Sequence, residues 1–227
     1  MAKNQSNSAK LYLFVYNIIQ FIGWSYGFVN VLLYIGKRGD YKDVWPHVQY
    51  SVSLFQSLQL LEVIHCVVGL VPSNAIQTLM QISSRLLVVW GILLPVVESR
   101  NSIGVPILLI SWSIAEMTRY LYYALNIYEM VPYLLTWLRY TLFIVLYPIG
   151  VSGELITMVS AFPYIRDRQL FAYPLPNANI SFYYHYMIVL VMLSYIPFFP
   201  QLYFYMIRQR KKMLAPTGTK TGHNKNH

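Results

Sequence analysis

Six long apolar runs, near residues 11–35, 48–71, 75–97, 103–127, 131–160 and 184–207, constrain this chain more than any other feature. A helix crosses the hydrocarbon core of a bilayer with about 20 apolar residues, and each run has them. Short polar punctuation separates the runs: KRGDYKD, VPSN, ESRNS, NIYEMVP and PYIRDRQLFAYPLPNANIS, in that order. The pattern predicts an all-α integral membrane protein with six transmembrane helices around a polar interior. Residues 1–213 form one membrane domain in this reading, and 214–227 a polar tail expected to be disordered. The first run starts too late and is too long for a cleaved signal peptide, so it is read as part of the mature fold.

Composition agrees. Of 227 residues, 56% are hydrophobic and only 11% are charged, against about a quarter charged in a soluble domain. The single cysteine excludes an internal disulfide. The formal charge of +9 does not point to nucleic acid, because the basic residues lie at the ends and in short loops, where they meet lipid headgroups. Arg208, Arg210, Lys211 and Lys212 after the last run are an example. An even number of spans puts both termini on one side. Lys3, Lys10 and the basic residues beyond 207 outnumber Lys37, Arg38, Lys42, Arg100, Arg166 and Arg168 opposite, which leans toward cytosolic termini. With loops this short, any chemistry must occur in or against the membrane.

The runs carry an unusual number of ionisable residues: Glu62, His65, Arg85, Glu116, Arg119, Arg139 and Glu154. Each costs about 2.5–3.5 kcal/mol to insert at bilayer depth, so each is read as paired or functional. At 100° per residue they fall on stripes. Gln59, Glu62 and His65 share one; Gln77, Gln81, Ser84 and Arg85 another; Trp112, Ser113, Glu116, Arg119, Tyr120 and Tyr123 a third; Arg139, Tyr147, Gly150 and Glu154 a fourth. Burying four stripes requires a shared interior. Glu116 and Arg119, three apart, can neutralise each other. His65 beside Glu62 reads as a hydrogen-bonded core histidine. Arg85 and Arg139 have no carboxylate three or four positions away, so each needs an acid from another helix or a ligand's anion.

The segment HCVVGLVP, residues 65–72, has the cysteine of a phosphate-cradling phosphatase loop. Such a loop needs arginine six positions after the cysteine to grip phosphate bidentately. That position is Pro72, which offers neither charge nor N–H. Cys66 also sits among Val, Ile and Leu, a setting that does not favour thiolate.

The fifth run reads differently. Tyr147 and Glu154, seven residues apart, differ by about 20° in helical direction and lie about 10.5 Å apart along the axis. Gly150 between them removes bulk, and Pro148 removes the hydrogen bond to the carbonyl of Ile144. A phenol and a carboxyl flanking a distorted turn look like an acid–base pair. The alternative is a proline-kinked packing helix with a buried, paired Glu154.

YPIGVSGE at residues 147–154, preceded by LRYTLF, resembles the Tyr-Pro-x-Gly-x-x-x-Glu core of the very-long-chain 3-hydroxyacyl-CoA dehydratases of the endoplasmic reticulum. LEVIHCVVGLVPS, TLMQISSRLLVVW and WSIAEMTRYLYYAL are similar to that family's second, third and fourth helices, and the resemblance runs from about residue 11 to 213. The family was once called protein tyrosine phosphatase-like for its HC-x-x-G-x-x-P segment. The resemblance implies six spans and removal of water from (3R)-3-hydroxyacyl-CoA to give trans-2-enoyl-CoA, the third step of fatty-acid elongation. It implies Tyr147 and Glu154 as catalytic, with Glu116, Arg119 and Arg139 supporting the site. Arg85 and Gly150 join them here from their place on the stripes.

Dehydration needs a base for the C2 proton, an acid for the leaving C3 hydroxyl and stabilisation of enolate character on the thioester oxygen. Glu154 is expected to take the proton and Tyr147 to donate, with the exchanged assignment, or Glu154 doing both, left open. No metal or cofactor is required. The expected partners are the long-chain 3-hydroxyacyl-CoA, membrane lipid and other elongation enzymes. Residence in the endoplasmic reticulum rests on the family, because Lys225 and Asn224 only half-match a dilysine signal. A small transporter using Glu62, Glu154 and the arginines, or a catalytically silent scaffold for elongation enzymes, are the rival readings.

Overall fold

The computed structural model describes residues 6–172 and 183–214, whose regular structure is all helical with no strand among them. Residues 215–227 of the proposed tail and residues 173–182, which hold the second half of the fifth linker, lie outside the described residues. Eight α-helices follow in order: α1 Asn7–Arg38, α2 Val44–Leu58, α3 Leu60–Val67, α4 Ala75–Leu86, α5 Gly104–Ile127, α6 Tyr133–Thr141, α7 Phe143–Asp167 and α8 Tyr184–Leu214. Four helical stretches are long and apolar enough to cross a membrane: Asn7–Arg38, Ala75–Leu93, Phe143–Asp167 and Tyr184–Leu214.

The other two expected spans are not continuous apolar helices of that kind. The second run breaks at Gln59 into helices of 15 and 8 residues. Buried Gln56 donates to Gln59 at 2.9 Å there, so polar side chains occupy the joint. The fourth run is one helix of 24 residues, but Glu116, Arg119 and several tyrosines lower its hydropathy. The fifth run also breaks, at Leu142 between α6 and α7, and α7 runs past residue 160 to Asp167.

Local chemistry explains the ends. Ser6 caps α1 by accepting from the Ala9 amide, and Gly39 closes it in the left-handed conformation, φ 67°, with Lys37 and Arg38 in the last turn. Gly69, φ 74°, ends α3 in the same way, with Leu70 N donating to His65 O at 2.9 Å. Pro72 follows where a helix cannot continue. HCVVGLVP is therefore a helix terminus. Asn74 caps α4, accepting from the amides of Ile76 and Gln77. Beyond Leu86 the chain widens into a π-helical segment, Leu87–Leu93, closed by Arg100, whose guanidinium donates to the carbonyls of Leu93 and Leu94 at 2.7 and 2.8 Å. Such segments often sit beside functional residues, and this one begins two residues after Arg85.

α1 buries Leu13, Tyr16, Gln20, Trp24, Gly27, Val31 and Tyr34, a three-four repeat that faces α2 and α5. Tyr12 and Phe14 meet His65 and Tyr128 at one end of the bundle. Asp43 with Asn101, and Glu98 with Arg168, join the loops at the other. Lipid tails give helices little hydrophobic reason to associate, so close backbone approach matters. α5 and α7 achieve it through Gly104 and Gly153. A Cβ on Gly153 would lie 2.8 Å from Leu108 N and 3.0 Å from Gly104 O. Gly153→Ala is therefore expected to cost about 1–3 kcal/mol, read as a lower melting temperature in detergent. Gly150→Ala, whose Cβ would meet Ser111 Cβ at an ordinary 3.5 Å, should cost far less.

The loop pair Glu98–Arg168 gives a pH-dependent contribution. The Arg168 hydrogen bond holds the Glu98 carboxyl below the usual carboxylate range. A carboxyl with a depressed folded-state pKa contributes stability that is present above its unfolded value and is lost as pH falls through the folded one. Wild type should thus lose a small melting advantage over Glu98→Gln as pH drops below about 4, and 1 M salt should erase it at neutral pH, since both groups are exposed to screening.

Candidate functional site

α5, α7 and α8 meet at a buried carboxyl. Glu154 on α7 is 5% exposed. Trp112 Nε1 on α5 donates to its Oε1 at 2.9 Å, and the Tyr195 hydroxyl on α8 donates to its Oε2 at 2.5 Å. The carboxyl is buried, aimed inward and held on both oxygens.

Tyr147, two turns earlier, is half-buried against the same helix α8. Its ring stacks on Phe199 at 5.0 Å and 6°, and on Tyr203 at 6.3 Å and 15°. Tyr195, Phe199 and Tyr203 recur every four residues, so one stripe of α8 faces both groups. Among the described residues the Tyr147 hydroxyl makes no hydrogen bond. Pro148 frees the Ile144 carbonyl, and Tyr203 OH donates to it over a long 3.4 Å. Gly150 is buried, and the space opposite it is taken by Ser111 and Trp112. What it admits is therefore α5 and the indole that reaches Glu154.

A second cluster adjoins the first. Arg85 of α4 forms an ion pair with Glu116 of α5 and lies 5.4 Å over the Trp112 ring. Glu116 also meets Arg119 at 2.6 Å, as the i, i+3 spacing leads one to expect. Arg119 then forks onto both oxygens of Glu62 at 2.6 and 2.9 Å, and the Tyr120 hydroxyl donates to the same carboxylate. Arg85, Glu116, Arg119 and Glu62 thus alternate in sign across three helices and sum to zero charge. Arg85 finds its acid on another helix. His65 is indeed a buried, hydrogen-bonded histidine, but its partner is Tyr12 at 2.9 Å, with Tyr16 edge-on, and Glu62 is used elsewhere.

Arg139 of α6 stands apart. It donates to the Tyr123 hydroxyl at 3.2 Å and lies over the rings of Tyr123 and Tyr140, its Nε is buried without a partner, and among the described residues it makes no ion pair. Gln81 on α4 is exposed rather than turned into the interior. Cys66 is half-buried with Sγ 3.8 Å from Thr78 Oγ1. A groove of about 340 Å³ lined by Asn30, Tyr34, Lys37, Arg38 and His47 lies at the opposite end of α1 and holds no comparable set. Tyr195 and the rest of the α8 stripe escape a reading of the sequence, since one phenol among 21 tyrosines does not stand out; the four-residue spacing of Tyr195, Phe199 and Tyr203 was the available signal.

A helical bundle with four membrane-length helices, enclosing a carboxyl, phenols and a neutral ion-pair chain, defines a membrane protein with a polar interior site. The chain belongs to the protein tyrosine phosphatase-like family (PTPLA), whose model matches residues 56–216. Among its relatives, mouse very-long-chain (3R)-3-hydroxyacyl-CoA dehydratase 2 is 41% identical over 92% of this chain and 83% of its own. The Caenorhabditis elegans dehydratase hpo-8 is 44% identical over 92% of this chain and 96% of its own. The rice dehydratase PASTICCINO 2A is 40% identical over 95% and 98% respectively. No solved structure matches the chain.

Proposed function

We propose that this protein is a hydro-lyase that dehydrates very-long-chain (3R)-3-hydroxyacyl-CoA to the trans-2-enoyl-CoA in fatty-acid elongation. Relatives at about 40% identity over nearly the whole chain bear that name. The observation that carries the site is the pairing of a buried, doubly held Glu154 with Tyr147 against one stripe of α8.

In this reading Glu154 removes the C2 proton. The released electron pair forms the C2=C3 bond, and the C3 hydroxyl leaves as water after Tyr147 protonates it. Arg85, Glu116 and Arg119 fix Trp112 and the α4–α5 contact, and Gly150 lets Trp112 lie against α7. Arg139, lacking a carboxylate among the described residues, is a guanidinium available to an anion of the CoA head. The acyl chain stays among helices and lipid, where each methylene kept from water contributes about 0.8 kcal/mol.

The four membrane-length helices, with α2–α3 and α5 completing the set, make six spans in the endoplasmic reticulum membrane, with both termini in the cytosol. Other elongation enzymes are the expected neighbours. The test is turnover: purified protein in lipid nanodiscs, given a 3-hydroxyacyl-CoA, should yield the enoyl-CoA. Absence of product from a folded preparation would favour the transporter or the silent scaffold.

A further inference from the structure

The dehydration reading uses Glu154 and Tyr147 and leaves Tyr195 without a task. Tyr195 touches the carboxyl more closely than any other group: its hydroxyl is 2.5 Å from Oε2. The opposite oxygen is already committed. Trp112 Nε1–H is a donor only, so Oε1 at 2.9 Å must be an acceptor in every state of Glu154. A carbonyl oxygen accepts better than the hydroxyl oxygen of an acid, so a proton gained by this carboxyl is favoured on Oε2, the oxygen that Tyr195 faces. A phenol, unlike an indole, both donates and accepts. It can donate to the carboxylate and, by rotating its hydroxyl hydrogen, accept from the acid.

The placement on α8 adds a second function. Tyr195 lies one turn before Phe199, which stacks on Tyr147, and two turns before Tyr203, which stacks there as well. One helix face thus sets the carboxyl and the phenol relative to each other, although the two belong to α7.

We infer that Tyr195 is a positioning residue for the dehydration: its hydroxyl holds Glu154 Oε2 at one place in both protonation states, and the stripe it heads keeps that oxygen in register with Tyr147. The inference rests on the reading of Glu154 as the base. No bond to Tyr195 is made or broken, and it leaves each turnover unchanged.

The experiment compares full-length wild type, Tyr195→Phe and Glu154→Gln in nanodiscs, with ordinary and C2-dideuterated 3-hydroxyacyl-CoA. A hydrogen bond to a charged group corresponds to roughly a 10- to 100-fold effect. Tyr195→Phe should lower kcat by that factor, leave KM within about twofold, and raise the isotope effect on kcat, because proton removal becomes the slow step. A variant harmed only in packing would not raise the isotope effect. Wild-type kcat in Tyr195→Phe alongside an inactive Glu154→Gln overturns this inference and leaves the site reading intact. Full activity in Glu154→Gln overturns the site reading, and this inference with it. A loss confined to KM, or an unchanged isotope effect, also overturns it. Should Tyr195→Phe fail to fold, 3-fluorotyrosine at position 195 keeps the ring and the hydroxyl, adds one small atom, and makes the hydroxyl more acidic. A several-fold change in kcat is then expected, and no change would refute the proposal.

Discussion

Glu154→Gln should abolish most turnover, by roughly 10²–10⁴-fold, while the protein folds and melts almost as wild type does. The reason lies in the hydrogen bonds around the carboxyl. A glutamine amide can place its oxygen against Trp112 Nε1 and its nitrogen against the Tyr195 oxygen, so both contacts survive the exchange. Only the capacity to take a proton is lost, and acid–base groups contribute about that factor. Tyr147→Phe is as clean a substitution. Its ring packing on Phe199 and Tyr203 needs no hydroxyl, so a comparable fall in kcat would isolate the phenolic proton. Steady-state production of enoyl-CoA by detergent-purified variants, with melting curves beside it, makes the measurement. Activity within twofold of wild type in either variant would remove that residue from the mechanism.

Glu116→Gln should have the largest effect on stability. The carboxylate is only 4% exposed at the side chain and sits between Arg85, 23% exposed, and Arg119, 18% exposed. Arg119 keeps Glu62 when Glu116 is neutralised, but Arg85 loses its only carboxylate and keeps a neutral amide oxygen and the Trp112 ring. Removing one partner of a buried pair costs about 3–5 kcal/mol because the surviving charge is uncompensated. Adding Arg85→Met to Glu116→Gln should recover part of that loss, and a double-mutant cycle on melting would give the coupling. Additive effects would mean that the two side chains do not depend on each other. Turnover should fall as well, since Arg85 lies over the indole that holds Glu154.

The reach of the sequence is clearest in how the ionisable groups pair. Helical periodicity places Glu116 beside Arg119, and they do meet. It also places Glu62 beside His65, yet Glu62 turns to Arg119, 57 positions away, and His65 to Tyr12, 53 positions away. Spacing within one helix reports neighbours only where no stronger partner arrives from another, and a guanidinium outcompetes an imidazole for a carboxylate. The joints at Gln59 and Leu142 were equally hidden. Polar residues do stand at both, Gln56, Ser57 and Gln59 at the first and Arg139 and Thr141 at the second, but Glu116 and Arg119 interrupt the fourth run no less and leave it one helix. Glu154 and Tyr147 were visible because a carboxyl, a proline and a glycine stand out in an apolar run. Tyr195 was not, because its distinction is its partner.

The terminus of α3 bears on what this chain could become. The amides of Val68, Gly69, Leu70 and Val71 donate to Ile64, Cys66, His65 and His65. Dephosphorylation by cysteine requires such amides to be unspent and convergent on one oxyanion. Placing arginine at position 72 would supply a guanidinium with no nest opposite it. No single substitution takes this segment to that chemistry; the end of α3 would first have to unwind. What looks like a one-residue evolutionary distance is a change of backbone.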